Sequence, residues 1–218
     1  MMNWHLEILP RATCRALDLL SKEEWLSSAG WYLAGGTALA LQAGHRQSVD
    51  LDFFIPKKTF PAAEVTSHFS DETWQADTVR DGTIYGILSG AKVSFIAYPF
   101  FVFGLPRLKY GLVDVLDQTD IAVMKVIAIS QRGRKRDFID LYWYTKHISP
   151  LFSVIEKLPA QYPTVAHDFH HIIKSLTYFT DAEDDPMPDL FFETSWEEIK
   201  KYFQREVPII AKKVIGLD

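Results

Sequence analysis

The stretch "YLAGGTALALQAGHRQSVDLDFF", residues 32–54, joins a short apolar segment to two adjacent glycines, an apolar run ending at Gly44, a lone arginine and two aspartates one residue apart. Its end, "VDLDFFI" (49–55), alternates: Val49, Leu51 and Phe53 share one face, and Asp50, Asp52 and Phe54 share the other. That is the pattern of a half-buried strand, here ended by Pro56. Side chains two apart on a strand point the same way, about 6.5–7 Å apart, so Asp50 and Asp52 present two carboxylates together. Such a pair suits Mg2+ or Mn2+, which take hard oxygen ligands and complete their shell with substrate phosphates. The other reading of an isolated Asp-x-Asp is a strand with a polar outer face.

The glycines favour the first reading. "GWYLA" (30–34) reads as a strand that runs into Gly35-Gly36, and "TALALQAG" (37–44) as a helix with Thr37 as cap and Gly44 as stop. Glycine lets a backbone come close to a ligand, and a helix N-terminus offers free N–H groups and partial positive charge to a phosphate. Thirteen residues, Thr37 to Val49, separate Gly36 from Asp50, enough for one helix and a return to an adjacent strand. Gly35, Gly36 and Thr37 would then meet Asp50 and Asp52 at the end of a sheet. The dinucleotide, P-loop and hydrolase-elbow motifs are absent.

The whole chain sets limits on what this site can be. Its 218 residues are 48% hydrophobic and 14% aromatic, which suits a packed globule and excludes disorder. No apolar run approaches the roughly 20 residues that span a bilayer, and "MMNWHLEILPRATCR" lacks the pattern of a secretory signal. The single cysteine, Cys14, excludes an internal disulfide framework. Together these point to a cytoplasmic setting. A net charge of −5 argues against nucleic-acid binding by general field, although "QRGRKRD" gathers Arg132, Arg134, Lys135 and Arg136.

Coarse periodicity predicts two short helices over 9–29, with Ser21 and Glu24 as a capping box, and helix again after Pro61. It predicts a hairpin over 83–100 turning at Ser89-Gly90, then helices over 119–133, 134–148, about 151–158 and 163–180. An acidic, Pro-containing linker covers 180–189, Ser195 and Glu198 cap a last helix, and Pro208 interrupts what continues it. Strands and helices first, helices only afterwards, make an α+β chain with a mixed half (1–112) and a helical half (113–218).

The motifs in order resemble those of polymerase-β-like nucleotidyltransferases, and most closely the AbiEii/AbiGii toxin family, to which the MenT-type toxins belong. The family's Gly-Gly appears at Gly35-Gly36, and its Arg-x-Ser/Thr-x-Asp-x-Asp at Arg46-Gln47-Ser48-Val49-Asp50-Leu51-Asp52. The helical lysine matches Lys125, and the last motif matches Arg134-Lys135-Arg136-Asp137-Phe138-Ile139-Asp140-Leu141, with arginine where lysine is more usual. The resemblance implies a mixed nucleotidyltransferase sheet with flanking helices, followed by a helical domain that completes a nucleotide cleft. It also implies transfer of an NMP from an NTP to an acceptor hydroxyl, with tRNA 3′ ends as acceptors linked to the family, and a cognate antitoxin as partner. Mg2+ or Mn2+ would sit on Asp50 and Asp52. Gly35, Gly36, Thr37, Arg46, Ser48, Arg134 and Arg136 would serve the nucleotide.

One position departs from the superfamily pattern. Where a third carboxylate often stands on a later strand, "AKVSFIAY" offers Ser94, a poor base. Three outcomes follow: Asp137 or Asp140, i and i+3 on one helix face, supplies the base, with Asp137 the first choice; the acceptor chemistry differs; or the protein is a catalytically silent nucleotide- or partner-binding module. Lys125 reads either as a phosphate contact or as a snorkelling side chain, and Arg46 either as a triphosphate contact or as the ion-pair partner of Asp50 or Asp52. His167 and His171 have i, i+4 spacing but no further ligand, so a polar helix face is their simplest role.

Overall fold

The computed structural model describes residues 3–165 and 168–215; His167 lies outside them. Along them run seven strands: β1 (Tyr32–Ala34), β2 (Leu51–Ile55), β3 (Trp74–Arg80), β4 (Thr83–Leu88), β5 (Ala91–Ala97), β6 (Leu108–Tyr110) and β7 (Val113–Val115). They form one mixed sheet in the order β3-β4-β5-β2-β1-β7-β6. The central pair β1–β2 is antiparallel, while β2–β5 and β1–β7 are parallel. The helices are α1 (Arg11–Leu20), α2 (Glu24–Ala29), α3 (Gly35–Ala43), α4 (Ala62–Thr66), α5 (Gln118–Arg132) and α6 (Lys135–His147). After them come α7 (Leu151–Ile155), α8 (Leu158–Gln161), α9 (Phe169–Ser175), α10 (Thr180–Glu183) and α11 (Trp196–Ile215). No described helix is long and apolar enough to cross a membrane.

Alternation in β2 decides the two faces of the sheet. Leu51, Phe53 and Ile55 are buried, and Phe53 stacks on Phe95 of β5 with ring centroids 5.4 Å apart. Asp52 and Phe54 point to the opposite face, where α5 lies across a cleft. The strand begins two residues later than its pattern predicts. Val49 is 45% exposed and belongs to the incoming loop, so the apolar face starts at Leu51. Ser89, at φ +49°, and Gly90, at φ +88°, make the predicted tight turn between β4 and β5.

Other local expectations change in detail. Ser21 ends α1, its hydroxyl donating to the Asp18 carbonyl, and no side chain caps α2 at Glu23, so the Ser21/Glu24 box does not form. The Ser195/Glu198 box does form, with Ser195 N–H donating to Glu198 at 2.8 Å and Glu198 N–H to the Ser195 hydroxyl at 3.2 Å. Helix α11 passes through Pro208 instead of stopping there. Ile199, Phe203, Val207 and Ile210 keep one buried face along it, and that burial outweighs the hydrogen bond proline removes. The predicted 163–180 helix shortens to α9 among the described residues, and α10 forms at the start of the segment predicted as a linker.

Between α10 and α11 the chain crosses the loop that precedes β2. Gln47 N–H donates to the Asp189 carbonyl at 2.8 Å, and Phe191 N–H to the His45 carbonyl at 2.9 Å. Arg46 and Leu190 thereby form an antiparallel bridge. The segment read as a linker is a strap on the motif loop.

Candidate active site

Strand β1 hands the chain to α3 through Gly35, whose φ of +72° favours glycine. Its neighbours explain the doublet more fully. A β-carbon at Gly35 would lie 3.0 Å from Asp52 Oδ2, and one at Gly36 would lie 2.3 Å from Arg46 Nη2. A carboxylate and a guanidinium therefore rest directly on the start of α3. Thr37 is not the helix cap; that position belongs to Ala34. Thr37 Oγ1 instead lies 2.8 Å from Ser48 Oγ and donates to the Asp50 carbonyl, pinning the loop that delivers the aspartates.

Register then fixes Asp52. It faces Ala34 across β1 and Ser94 across β5, and Ser94 Oγ donates to Asp52 Oδ1 at 2.7 Å. Burial pushes the Asp52 pKa up and the nearby Asp50 charge adds to this, against the Ser94 hydrogen bond. Asp50 sits at the mouth of the strand with its side chain 27% exposed, and Oδ2 is 3.2 Å from Arg136 Nη1. Among the described residues there is no cluster of three His, Cys, Asp or Glu side chains suited to a metal. Two adjacent carboxylates, one desolvated and destabilised by the other, nonetheless fit a divalent cation that shares its shell with phosphate oxygens.

The helical side is a buried charge network. Lys125 Nζ is 2.6 Å from Asp137 Oδ1 and 2.6 Å from Asp140 Oδ2. Asp137 also takes Arg132 Nε at 3.0 Å. Asp140 takes Arg46 Nε at 2.6 Å, Arg46 Nη2 at 2.9 Å and His45 Nε2 at 2.8 Å. Both aspartates are 0% exposed. Burial alone would raise their pKa values, but Lys125 and Arg132 lower that of Asp137, and Arg46 and Lys125 hold Asp140 well below the usual range. Their oxygens are occupied by cations, an arrangement suited to positioning those cations and unlike that of a general base. Burial pushes the His45 pKa down against its hydrogen bond to Asp140.

These parts line one cleft of about 480 Å³. Gly35, Gly36, Thr37, Arg46, Ser48, Asp50 and Asp52 come from the sheet side, and Lys125, Arg132 and Arg136 face them from α5 and α6. Lys125 is thus both a cleft residue and a buried counterion, and its solvent-snorkelling reading falls because only 5% of its side chain is exposed. Arg46 pairs with Asp140, not with Asp50 or Asp52. Arg134 lies outside this cleft: it pairs with Asp185 at 2.8 Å and lines a neighbouring groove beneath the strap. His171 Nε2 lies 2.9 Å from the Ser130 carbonyl, a helix-to-helix contact.

Sequence reasoning missed His45, whose only signal is its place beside Arg46. It also missed the cleft's far half, where Phe54, Ile96, Tyr98, Ile121 and Met124 supply apolar surface and Asp77, Tyr85, Lys92 and Gln131 a polar rim. Phe54 alone had a signal, because it alternates in phase with Asp52.

Comparison with known proteins accords with this geometry. Residues 18–84 and 89–213 match the family model described as "Nucleotidyl transferase AbiEii toxin, Type IV TA system". The chain is 37% identical over 183 residues to the uncharacterized protein aq_aa25 of Aquifex aeolicus, covering 81% of this chain and 86% of that one. Among solved structures, JHP933 from Helicobacter pylori superposes with a TM-score of 0.54 at 19% identity, over 95% of each chain. The nucleotidyltransferase toxin MenT4 from Mycobacterium tuberculosis superposes with a TM-score of 0.51 at 14% identity, over 96% of this chain and 87% of the other. At such identities the likeness is one of fold.

Proposed function

The chain belongs to the AbiEii nucleotidyl transferase toxin family of type IV toxin–antitoxin systems, and from that premise we propose that it moves an NMP from an NTP to an acceptor hydroxyl. In this reading it is the toxin of a pair with a cognate antitoxin, acts in the cytoplasm, and uses RNA, tRNA included, as acceptor. Residues 1–112 supply the nucleotidyltransferase half and residues 113–218 the helical half that completes the cleft. One observation carries the proposal: Asp50 and Asp52 converge at the N-terminus of α3, opposite Lys125, Arg132 and Arg136 across one cleft.

The free N–H groups at Gly35, Gly36 and Thr37 receive phosphate oxygens, aided by the helix dipole. Lys125 spends two of its three donors on Asp137 and Asp140, which leaves one for a phosphate. Arg132 and Arg136, each about half exposed, can turn toward the triphosphate. Arg46, Asp137, Asp140 and His45 act as positioning residues that hold this array rigid. Asp50 and Asp52 would hold a divalent cation, Mg2+ or Mn2+, which would supply positive charge at the reacting phosphate.

The acceptor oxygen forms a bond to the α-phosphorus while the α–β bridging bond breaks and pyrophosphate leaves with the bonding electrons. In the phosphate half of the cleft, Asp50 and Asp52 are the carboxylates not enclosed by cations. These two would hold the cation, so the acceptor proton passes to water.

The test is incubation of the purified protein with total RNA and each labelled NTP, with Mg2+ or with chelator. Label should enter RNA only with the metal. NTP binding without transfer to any acceptor would instead favour the silent binding module, the alternative that Ser94 opposite Asp52 suggests.

A further inference from the structure

The side chains of the cleft divide into two groups. Those of the phosphate half are engaged with one another: Thr37 with Ser48, Asp50 with Arg136, Asp52 with Ser94, and Lys125 and Arg132 with Asp137. On the far rim, Asp77, Tyr85, Lys92 and Gln131 make no side-chain hydrogen bond, ion pair or ring contact with any described residue. Three of them project from the sheet and Gln131 faces them from α5.

Backbone geometry aims this rim at the reaction site. Asp52, Ser94 and Tyr85 are successive cross-strand partners on β2, β5 and β4. Tyr85 is therefore two strands, about 10 Å, from the carboxylate pair. Pairing of β3 with β4 slips between Ala76 and Thr78, which makes Asp77 the extra residue of a bulge. Bulges re-aim a side chain and recur beside active sites, and this one directs Asp77 into the cleft. Tyr85, a large ring left 43% exposed, has no partner in a fold where the other cleft tyrosine, Tyr98, packs against Phe54.

We propose that this rim is the acceptor subsite and that it binds the last nucleotides of a single-stranded RNA whose terminal hydroxyl is presented at Asp50 and Asp52. The assignment rests on the nucleotidyl-transfer reading and adds the side of the cleft from which the acceptor enters. Tyr85 stacks on an unpaired base, as aromatic side chains do in single-strand binding sites. Lys92 meets a backbone phosphate. Asp77 accepts from an exocyclic amine or a ribose hydroxyl, and its charge keeps phosphates on the Lys92 side. Bases inside a duplex could not use the ring, because both of their faces are already stacked.

The experiment measures binding of a fluorescent mixed-sequence single-stranded RNA to the whole protein without NTP, and binding of NTP separately. Tyr85→Ala should weaken RNA binding about five- to a hundredfold, the span of one base–aromatic stack. Tyr85→Phe should bind like wild type, Lys92→Ala should flatten the salt dependence, and NTP binding should not change. Thermal unfolding of each variant excludes loss of fold. If wild type transfers nucleotide to RNA but Tyr85→Ala and Lys92→Ala bind RNA normally, the subsite is wrong and the transferase reading stands. If the substitutions weaken NTP binding instead, the rim belongs to the incoming nucleotide. Wild type that binds no RNA yet labels a protein hydroxyl would overturn the RNA ligand while leaving nucleotidyl transfer intact.

Discussion

Gly36 and Arg46 touch so closely that a single methyl group on the glycine would sit 2.3 Å from the guanidinium. Arg46 is 3% exposed, and its other contacts run to Asp140 and the Gln47 carbonyl, so it has no room to retreat. Gly36→Ala should cost about 1–3 kcal/mol, the usual range for forced overpacking, and should weaken NTP binding with it. A urea melt together with nucleotide binding checks both, and an unchanged midpoint would show that the contact is slack.

Asp50→Asn and Asp52→Asn should each abolish transfer while the fold survives, since the amide keeps the shape and removes the charge. A second readout needs no activity. Mg2+ or Mn2+ should raise the melting temperature of wild type by mass action and leave that of both variants unmoved. Equal shifts in all three proteins would remove these aspartates from the metal site.

Lys125→Met should be costly even though methionine matches the lysine stem. It strips a cation from two fully buried carboxylates, and breaking a buried pair on one side costs about 3–5 kcal/mol. The double variant Lys125→Met/Asp137→Asn should recover part of that loss. Additive losses in the cycle would mean that the pair is not coupled.

Stability should depend on pH in two opposed ways. Asp137 and Asp140 are held below their unfolded value of about 3.9. Their contribution is complete above about pH 4 and is lost as pH falls through the folded pKa values. Asp52 is raised, so its ionised form costs stability once pH rises through its folded pKa. In metal-free buffer Asp52→Asn should therefore be more stable than wild type at pH 7, and the gap should close by about pH 4. Denaturant midpoints across pH 3–8 measure this, and a gap constant with pH would contradict the burial of Asp52.

Residues 32–55 were legible because alternation, paired glycines and carboxylate spacing all act locally, and β1, α3 and β2 follow from them. The edge strand β3 was not. "WQADTVR" is polar and largely exposed, so neither face carries an apolar signal, and its place comes from pairing with β4. Asp137 and Asp140 were found by motif, yet the partners that surround them were not legible. An i, i+3 spacing says that two carboxylates share a face, not that Lys125, Arg46 and Arg132 already occupy them. Ser94 could be named as the odd residue from the chain alone, but only register showed that it donates to Asp52.

The strap across the motif loop carries a consequence for when activity begins. His45 and Gln47 depend for their backbone partners on Asp189 and Phe191, which the ribosome adds more than 140 residues later. A nascent chain that already contains every recognisable motif, up to Leu141, still has an untethered loop before its two aspartates. Fragments from premature termination or from cleavage before residue 185 should then be harmless to the cell that makes them. Synthesis of the strap, which follows every recognisable motif, is then the step that tethers the loop and arms the site in the proposed function.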